Sequence, residues 1–467
     1  MRKYYWYFTA YWKKHGKTVI ISVFTAIFLF SITLPFLVSK INTKKHFYIA
    51  MVGNHTLNSL PNEIEQLVSF GLTKLNKDGT VDPALSERWS IEENGKTYRF
   101  IIKKGLKWQD GKNFNPSDVW YPLEDTQIIT TQNDVVFKLP DTFVPFPSFV
   151  SKPLFRSNYD SKWFFFTKQK ITGLGRYQIT DFKLQGKRLK EITLESSKEK
   201  RTIRFYLTQG DAITAFKSGD VDILSDLNNK TAFENWNNIL LTETLKEDEY
   251  LALFFNMKNP LFSKNVRQAF SYALSKPEDK ERALGPIDPN SWVYLAANKT
   301  YKQDQKRAIE RLLSSMPEQK LAFSIKTTVA FSAEAEKIKE ELENLGTAAF
   351  ESCEQSDEVS EKEKCENLKI SINIQVHNFP DLTDFETLLI TRESPPDPDQ
   401  YSMWHSQQAS NFTNYKNTRI DNLLEKGRQV ADREERKAIY QEFQQFLLED
   451  APAVFIKHPT VYEAKRK

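Results

Sequence analysis

The chain has 467 residues, enough for two to four domains of roughly 100–200 residues each, and its 40% hydrophobic and 27% charged content is that of a globular protein with a sizeable core. The net charge of +4 is unevenly spread: residues 1–45 hold eight Lys and Arg and no acid, so the other 57 basic residues stand against all 61 acidic ones. A slightly acidic body lacks the clustered basic footprint of a nucleic-acid binder, and that class is excluded.

The first element is TVIISVFTAIFLFSITLPFLV, residues 18–38, an uncharged apolar run of the length that crosses a hydrocarbon core of about 30 Å as one helix. Arg2, Lys3, Lys13, Lys14 and Lys17 precede it and Tyr4, Tyr5, Trp6, Tyr7, Tyr11 and Trp12 suit an interface zone, which places the N-terminus inside. The run exceeds the usual core of a secretory signal and no Ala-x-Ala site follows. An uncleaved anchor is therefore read over a cleaved signal peptide, with residues 46–467 extracytoplasmic.

Next, WSIEENGKTYRFIIKKGLKWQDGKNFNPSDV, residues 89–119, reads as a hairpin. Asn94-Gly95 supplies the two positive-φ centres of a two-residue turn, and Tyr98, Phe100 and Ile102 share one buried face. Asp110-Gly111 marks a further turn. Asn115-Pro116-Ser117-Asp118 reads as a helix start, with Asn115 as cap and Asp118 closing a capping box.

Farther on, helix and strand signals alternate, which favours α/β layers over an all-helical or all-β fold. Ile213 and Phe216 share a helix face that Gly219 ends, and a strand starts at Val221. A helix starts near Ser263 with Val266, Ala269, Phe270 and Ala273 at core spacing; another runs to Gly346; two more precede Pro452; and AVFIKHPTVYEA closes the chain as one strand. Cys353 and Cys365 are the two cysteines, either a disulfide formed in an oxidising compartment or two free thiols in a polar insertion.

Catalytic motifs are missing. His15, His46, His55, His377, His405 and His458 are scattered without a zinc spacing, no nucleophile elbow or phosphate loop occurs, and GLGRYQI lacks the third glycine of a dinucleotide fingerprint. The expectation is a protein that is not an enzyme and uses no cofactor and no metal.

The segments resemble, in order, the family 5 extracellular solute-binding proteins, the peptide- and nickel-type receptors of ABC importers. LTKLNKDGTVDPALSERWSIEENGKTYRFIIKKGLKWQDGKNFNPSDVWY is similar to the family's opening block. ITGLGRYQI keeps Gly173, Gly175 and Tyr177 of a later one, and AITAFKSGDVDIL, LFFNMKNPLFSKNVRQAFSYAL, SPPDPDQYSMWHS and EERKAIYQEFQQFLLEDAPAVFI follow in place. The resemblance covers essentially everything past the anchor. It implies an α/β, two-lobed periplasmic-binding-protein fold of type II with an extra subdomain, after one N-terminal transmembrane helix. The expected division is 1–45 stub and anchor, 46–66 with 165–255 and 440–467 as lobe 1, 67–164 as a shortened extra subdomain, and 256–439 as lobe 2.

What the resemblance implies for function is a monomeric, membrane-anchored receptor that captures a peptide or similar small solute between its lobes and delivers it to an ABC permease. The alternative is a sensor on the same clamshell. Where many peptide-binding members carry a tryptophan and an aspartate, this chain has Thr391 and Ser394. Glu393 beside that position suits a cation and Arg392 a carboxylate, unless both are solvated loop charges. Asp397, Asp399, Tyr401, Trp404, Asn256 and Tyr177 complete the candidate set, with Tyr401 and Trp404 either facing the cleft or packing as core. Asn256 and Arg267 suit an organising role more than ligand contact.

Overall fold

The computed structural model describes residues 2–40, 44–161, 167–296, 298–355 and 362–467. Taken by itself, the helix Arg2–Lys40 has 39 residues and so is ~58 Å long. It starts well before the apolar run because residues 2–17 hold no proline and only one glycine to stop it. The stretch Tyr5–Thr33 is long and apolar enough to cross a membrane, and Tyr5, Trp6, Tyr7, Tyr11 and Trp12 are exposed on it.

Two large sheets organise the rest of the chain. The first has seven strands in the order Gln178–Gln185, Arg188–Glu195, Glu199–Tyr206, Lys45–Val52, Ile223–Leu227, Thr460–Arg466 and Ile239–Leu245. The second has five, ordered Ile370–His377, Leu321–Thr328, Thr387–Glu393, Glu249–Phe255 and Ala453–Lys457.

Strand Glu249–Phe255 reads EYLALFF and is buried from Tyr250 onward, the near-continuous apolar run expected of a strand covered on both faces. Alternation sorts its side chains. Tyr250, Ala252 and Phe254 join a core with Trp404, Tyr415 and Tyr440, whereas Leu251, Leu253 and Phe255 join another with Phe262, Phe270 and Ile338. Each fully buried Leu or Phe contributes about 1.5–3 kcal/mol, so this one strand anchors helices on both sides. Those helices begin at real caps: Ser263 accepts from the Val266 amide, Asn417 from the amides of Arg419 and Ile420, and Asp432 from the Glu435 amide.

Between residues 67 and 164 lies a four-stranded antiparallel sheet of Ser86–Glu92, Thr97–Ile102, Asp134–Lys138 and Gln127–Thr130. Tyr98, Phe100 and Ile102 are buried in it, as their spacing requires. The hairpin turn differs from expectation. Glu92 pairs with Thr97, so the loop has four residues, with Glu93, Asn94 and Gly95 all at positive φ. Its carbonyls are occupied from outside: Asn94 accepts the Thr142 hydroxyl, Gly95 the Phe143 amide and Lys96 the Leu139 amide. The capping box at Asn115 and Asp118 forms, yet it opens only the 3-10 turn Pro116–Asp118. Val119 is extended, and Pro122 close behind disfavours helix before it.

Three other expectations are corrected. The helix expected to stop at Gly346 is Ser332–Glu354 and continues through it. Gly346 is there for close approach, since a Cβ would lie 2.6 Å from the Ile370 amide nitrogen. The closing segment is two strands, Ala453–Lys457 and Thr460–Arg466, because Pro459 lacks the N–H a continuous ladder needs, and each joins a different sheet. Consequently Glu249–Phe255, Ala453–Lys457 and helix Arg433–Asp450, which carries Tyr440, Phe443 and Leu447 into the core around Trp404, belong with the five-stranded sheet and not with the lobe to which residues 165–255 and 440–467 were assigned. The expected boundary at 164/165 lies outside the described residues.

Cys353 and Cys365 form a disulfide 12 residues apart, joining the end of Ser332–Glu354 to the short helix Lys362–Cys365, with both sulfurs in the core. Replacing both by serine removes a loop constraint worth ~3 kcal/mol. In guanidinium denaturation, reductant lowers the midpoint of the native protein and leaves the double variant unchanged.

Candidate functional site

The chain passes from the seven- to the five-stranded sheet at residues 246–248 and returns at 458–459. The two crossings are bonded together. The Lys246 amide donates to the Pro459 carbonyl at 2.9 Å, and His458 Nδ1 lies 2.7 Å from the Glu249 carbonyl oxygen. Beside them strand Thr387–Glu393 ends antiparallel to Glu249–Phe255, with Tyr250 opposite Arg392 and Glu249 opposite Glu393. The chain then turns away: the Ser394 amide donates to the Asp248 carbonyl at 2.7 Å and its hydroxyl to the Pro286 carbonyl at 2.8 Å.

This corner borders an open cavity of about 490 Å³ lined by Glu249, Thr391, Arg392, Glu393 and Pro395. Arg392 lies over the Phe412 ring at 5.5 Å, and among the described residues no carboxylate reaches ion-pair distance of it, nor any cation of Glu393 or Glu249. Lys246 is turned toward Glu63 at 3.8 Å and Asp226 at 3.7 Å. Burial pushes the Glu249 carboxyl up to about 7, with Lys246 opposing the rise and Asp248, Glu393 and Asp226 adding to it. Among the described residues no group of three or more His, Cys, Asp or Glu could hold a metal ion.

Of the residues singled out in the sequence, Arg392 and Glu393 meet at this cavity. The others have different work. Asp397 pairs with Arg436 at 2.7 Å, both nearly buried, and accepts the Ser148 hydroxyl at 3.1 Å. Asp399 takes Arg428 in a two-pronged contact at 2.8–3.0 Å, and that guanidinium lies 3.7 Å from the Tyr401 ring centre. Trp404 is fully buried against Phe254, Tyr415 and Phe455. Ser394 is held as described above.

Tyr177 is also buried, beside a glycine pair that touches the backbone: a Cβ on Gly173 would lie 2.2 Å from the Val68 carbonyl oxygen, and Gln109 donates to Val68, Gly175 and Tyr177 carbonyls. Asn256 stitches loops, donating to the Phe385 carbonyl and accepting from the Lys258 amide and Asn414. Arg267 caps a helix end, donating to the carbonyls of Phe262, Asp450 and Ala451. Glu249 was not singled out, since it opens an apolar strand with nothing local to mark it; only the register beside Glu393 brings it to the cavity.

The fold has solved counterparts. NikZ from Campylobacter jejuni in complex with Ni(L-His) superposes with a TM-score of 0.73 at 21% identity, covering 91% of this chain and 94% of that one. The oligopeptide-binding protein AppA from Bacillus subtilis in complex with a nonapeptide does so at 0.70 and 20%, covering 91% and 95%. Two α/β sheets joined by paired crossings are thus a fold that this chain shares with both of those proteins. In sequence, the oligopeptide-binding protein AppA of Bacillus subtilis (strain 168) is 25% identical over 489 aligned positions, covering 89% of this chain and 86% of its own. The dipeptide-binding protein DppE of the same strain is 21% identical over 82% of this chain and 80% of its own. The model of the bacterial extracellular solute-binding proteins, family 5 Middle, matches residues 80–348, and the chain belongs to that family.

Two stability effects follow from this geometry. Asp397→Ala strands the buried Arg436 charge and costs ~3 kcal/mol, more than Asp399→Ala beside the more exposed Arg428; urea unfolding followed by tryptophan fluorescence separates the two. Glu249 holds its proton more tightly folded than unfolded, so its contribution to stability is complete below the unfolded value near 4.5 and is lost as pH rises toward about 7. Glu249→Gln accordingly raises Tm at pH 8 by roughly 2–4 °C and leaves it unchanged at pH 4, as differential scanning fluorimetry reads.

Proposed function

We propose that this chain captures a peptide or a similar small solute in the cleft at the crossings, as a monomer held at the outer face of the cell membrane by the helix Arg2–Lys40, and delivers it to an ABC permease. The observation that carries the reading is the open cavity where Arg392 and Glu393 meet with no ion-pair partner among the described residues. Groups of opposite sign left unneutralised at the rim of a cleft suit a dipolar solute, whose ends they hold by charge-assisted hydrogen bonds. Relatives over most of the chain are named for oligopeptide and dipeptide binding, which favours a peptide. Contacts from both sides of the joint stabilise a closed form, and rotation is absorbed at residues 246–248 and 458–459. Asp397, Asp399 and Tyr401 serve this cleft by fixing the loop that follows Glu393.

Native mass spectrometry of the full chain released from detergent tests the reading. Expected is a set of peptides that co-purifies and leaves on denaturation, with Tm raised when a peptide mixture is restored; ligand at a hundred times Kd stabilises by about 2.7 kcal/mol. An empty protein that no peptide mixture stabilises would overturn it.

A further inference from the structure

Residues 140–148 leave the four-stranded sheet and reach across to helices of the five-stranded one. We propose that they form a clasp, which grips the loop after Glu393 while the cleft is shut and must let go before it opens. The clasp, together with the crossings, then sets how readily solute enters and leaves. It rests on the reading of a cleft that closes on a solute, and adds the contact that keeps it closed.

The clasp is stiff by sequence. Pro140, Pro145 and Pro147 each fix their own φ, which leaves the segment little freedom to lose on docking. The left-handed turn beneath it supplies the rest: Asn94 accepts the Thr142 hydroxyl at 3.0 Å, Gly95 accepts the Phe143 amide at 3.3 Å, and the Tyr98 hydroxyl donates to the Phe143 carbonyl at 3.0 Å. Phe146 is fully buried against Tyr98, Phe100 and Phe137.

Its base belongs with the seven-stranded sheet. Gln109 donates to the Val68, Gly175 and Tyr177 carbonyls, and Val68 and Tyr177 share a core with Ile179 and Ile192 of that sheet. Base and sheet therefore move together.

Its tip meets the other side. The Val144 amide donates to the Arg428 carbonyl at 2.7 Å, the Arg428 guanidinium lies 5.1 Å from the Phe143 ring centre, and the Ser148 hydroxyl donates to Asp397 at 3.1 Å. A second turn presses on the same loop: Gly79 has a φ of 78°, and a Cβ there would lie 2.6 Å from the Pro396 carbonyl oxygen. Arg428 and Asp397 are members of the two ion pairs that hold this loop, so the clasp seizes it at its fixed points.

A hydrogen bond is gone beyond about 3.5 Å, so a shift of roughly 1 Å between tip and loop releases both bonds. Rotation at residues 246–248 and 458–459 carries the five-stranded sheet away from a base fixed to the other one, and opening breaks the clasp. Contacts made in the shut form alone shift the balance toward it, and losing one returns that share to the open form.

The test uses the full chain in detergent micelles. Spin labels are placed at Lys187→Cys, in the hairpin of the seven-stranded sheet, and Lys337→Cys, on helix Ser332–Glu354; both positions are exposed, and Cys353 and Cys365 are bonded to each other. Double electron–electron resonance reads the distance between them. Ser148→Ala removes the donor to Asp397 and leaves Arg436 its partner. Gly79→Asn keeps a residue that accepts left-handed backbone and puts a side chain where the Pro396 carbonyl sits.

Without peptide, the parent is expected to show one dominant short distance, and each variant to raise the ratio of long to short about tenfold. A tryptic digest of casein restores the short distance in both. If the variants, with unchanged circular dichroism, keep the parent's distribution, or if the parent already sits at the long distance, the clasp is refuted while the digest still raises Tm where the peptide reading holds. If the variants lengthen the distance and the digest neither shortens it nor raises Tm, the clasp stands and the peptide reading falls.

Discussion

The bond from the Lys246 amide to the Pro459 carbonyl ties together the two crossings that link the sheets of the body. Each crossing is too short to fold on itself, and Pro459 cannot donate to a neighbour, so this bond and the contact between His458 and the Glu249 carbonyl join the crossings between the ladders that pair Leu245 with Thr460 and Leu251 with Lys457. Among the described residues, the strands between 249 and 457 all belong to the five-stranded sheet. A joint of this kind concentrates rotation in a few residues while the sheets on either side stay packed.

The same joint explains the charge of the cleft. Strands that have just left a crossing end in polar residues, because the apolar run of EYLALFF begins only at Tyr250 and the buried part of Thr387–Glu393 stops before Arg392. Glu249, Arg392 and Glu393 are therefore the first residues outside two cores, the first two half-buried and Glu393 exposed, and all three line one cavity. Partial burial makes the charges of Glu249 and Arg392 count for more than on an open surface, where water would screen them.

The fold was legible wherever a local rule decided the outcome. Ser263 as cap, Gly219 in the left-handed conformation and the buried face of Tyr98, Phe100 and Ile102 all depend on neighbours within a few residues. It was not legible where a distant segment decided it. Gly346 looks like a helix stop until strand Ile370–His377 packs against it, and AVFIKHPTVYEA looks like one strand until its halves are drawn into different sheets. The resemblance to family 5 carried the architecture, since alternating elements alone fit many α/β folds.

The candidate site was legible only in part, for a reason that lies in the chemistry of carboxylates. Asp397 and Asp399 flank a proline in a loop, which is how ligand-binding acids often look, and a sequence does not show whether a cation from the same chain already occupies them. Here Arg436 and Arg428 do, each arriving from a helix more than two dozen residues later. Such pairs are strained choices energetically, because desolvating both charges cancels much of their attraction, yet once formed they leave no free oxygen geometry for a solute. Burial opposes the Arg436 charge and Asp397 outweighs it, so the pair is a fixed brace. The acids open to a ligand are the ones the fold leaves without a cation. By that criterion Asp397 and Asp399 hold the loop that follows Glu393, while Glu393 and the unremarked Glu249 line the cavity with no cation at ion-pair distance among the described residues.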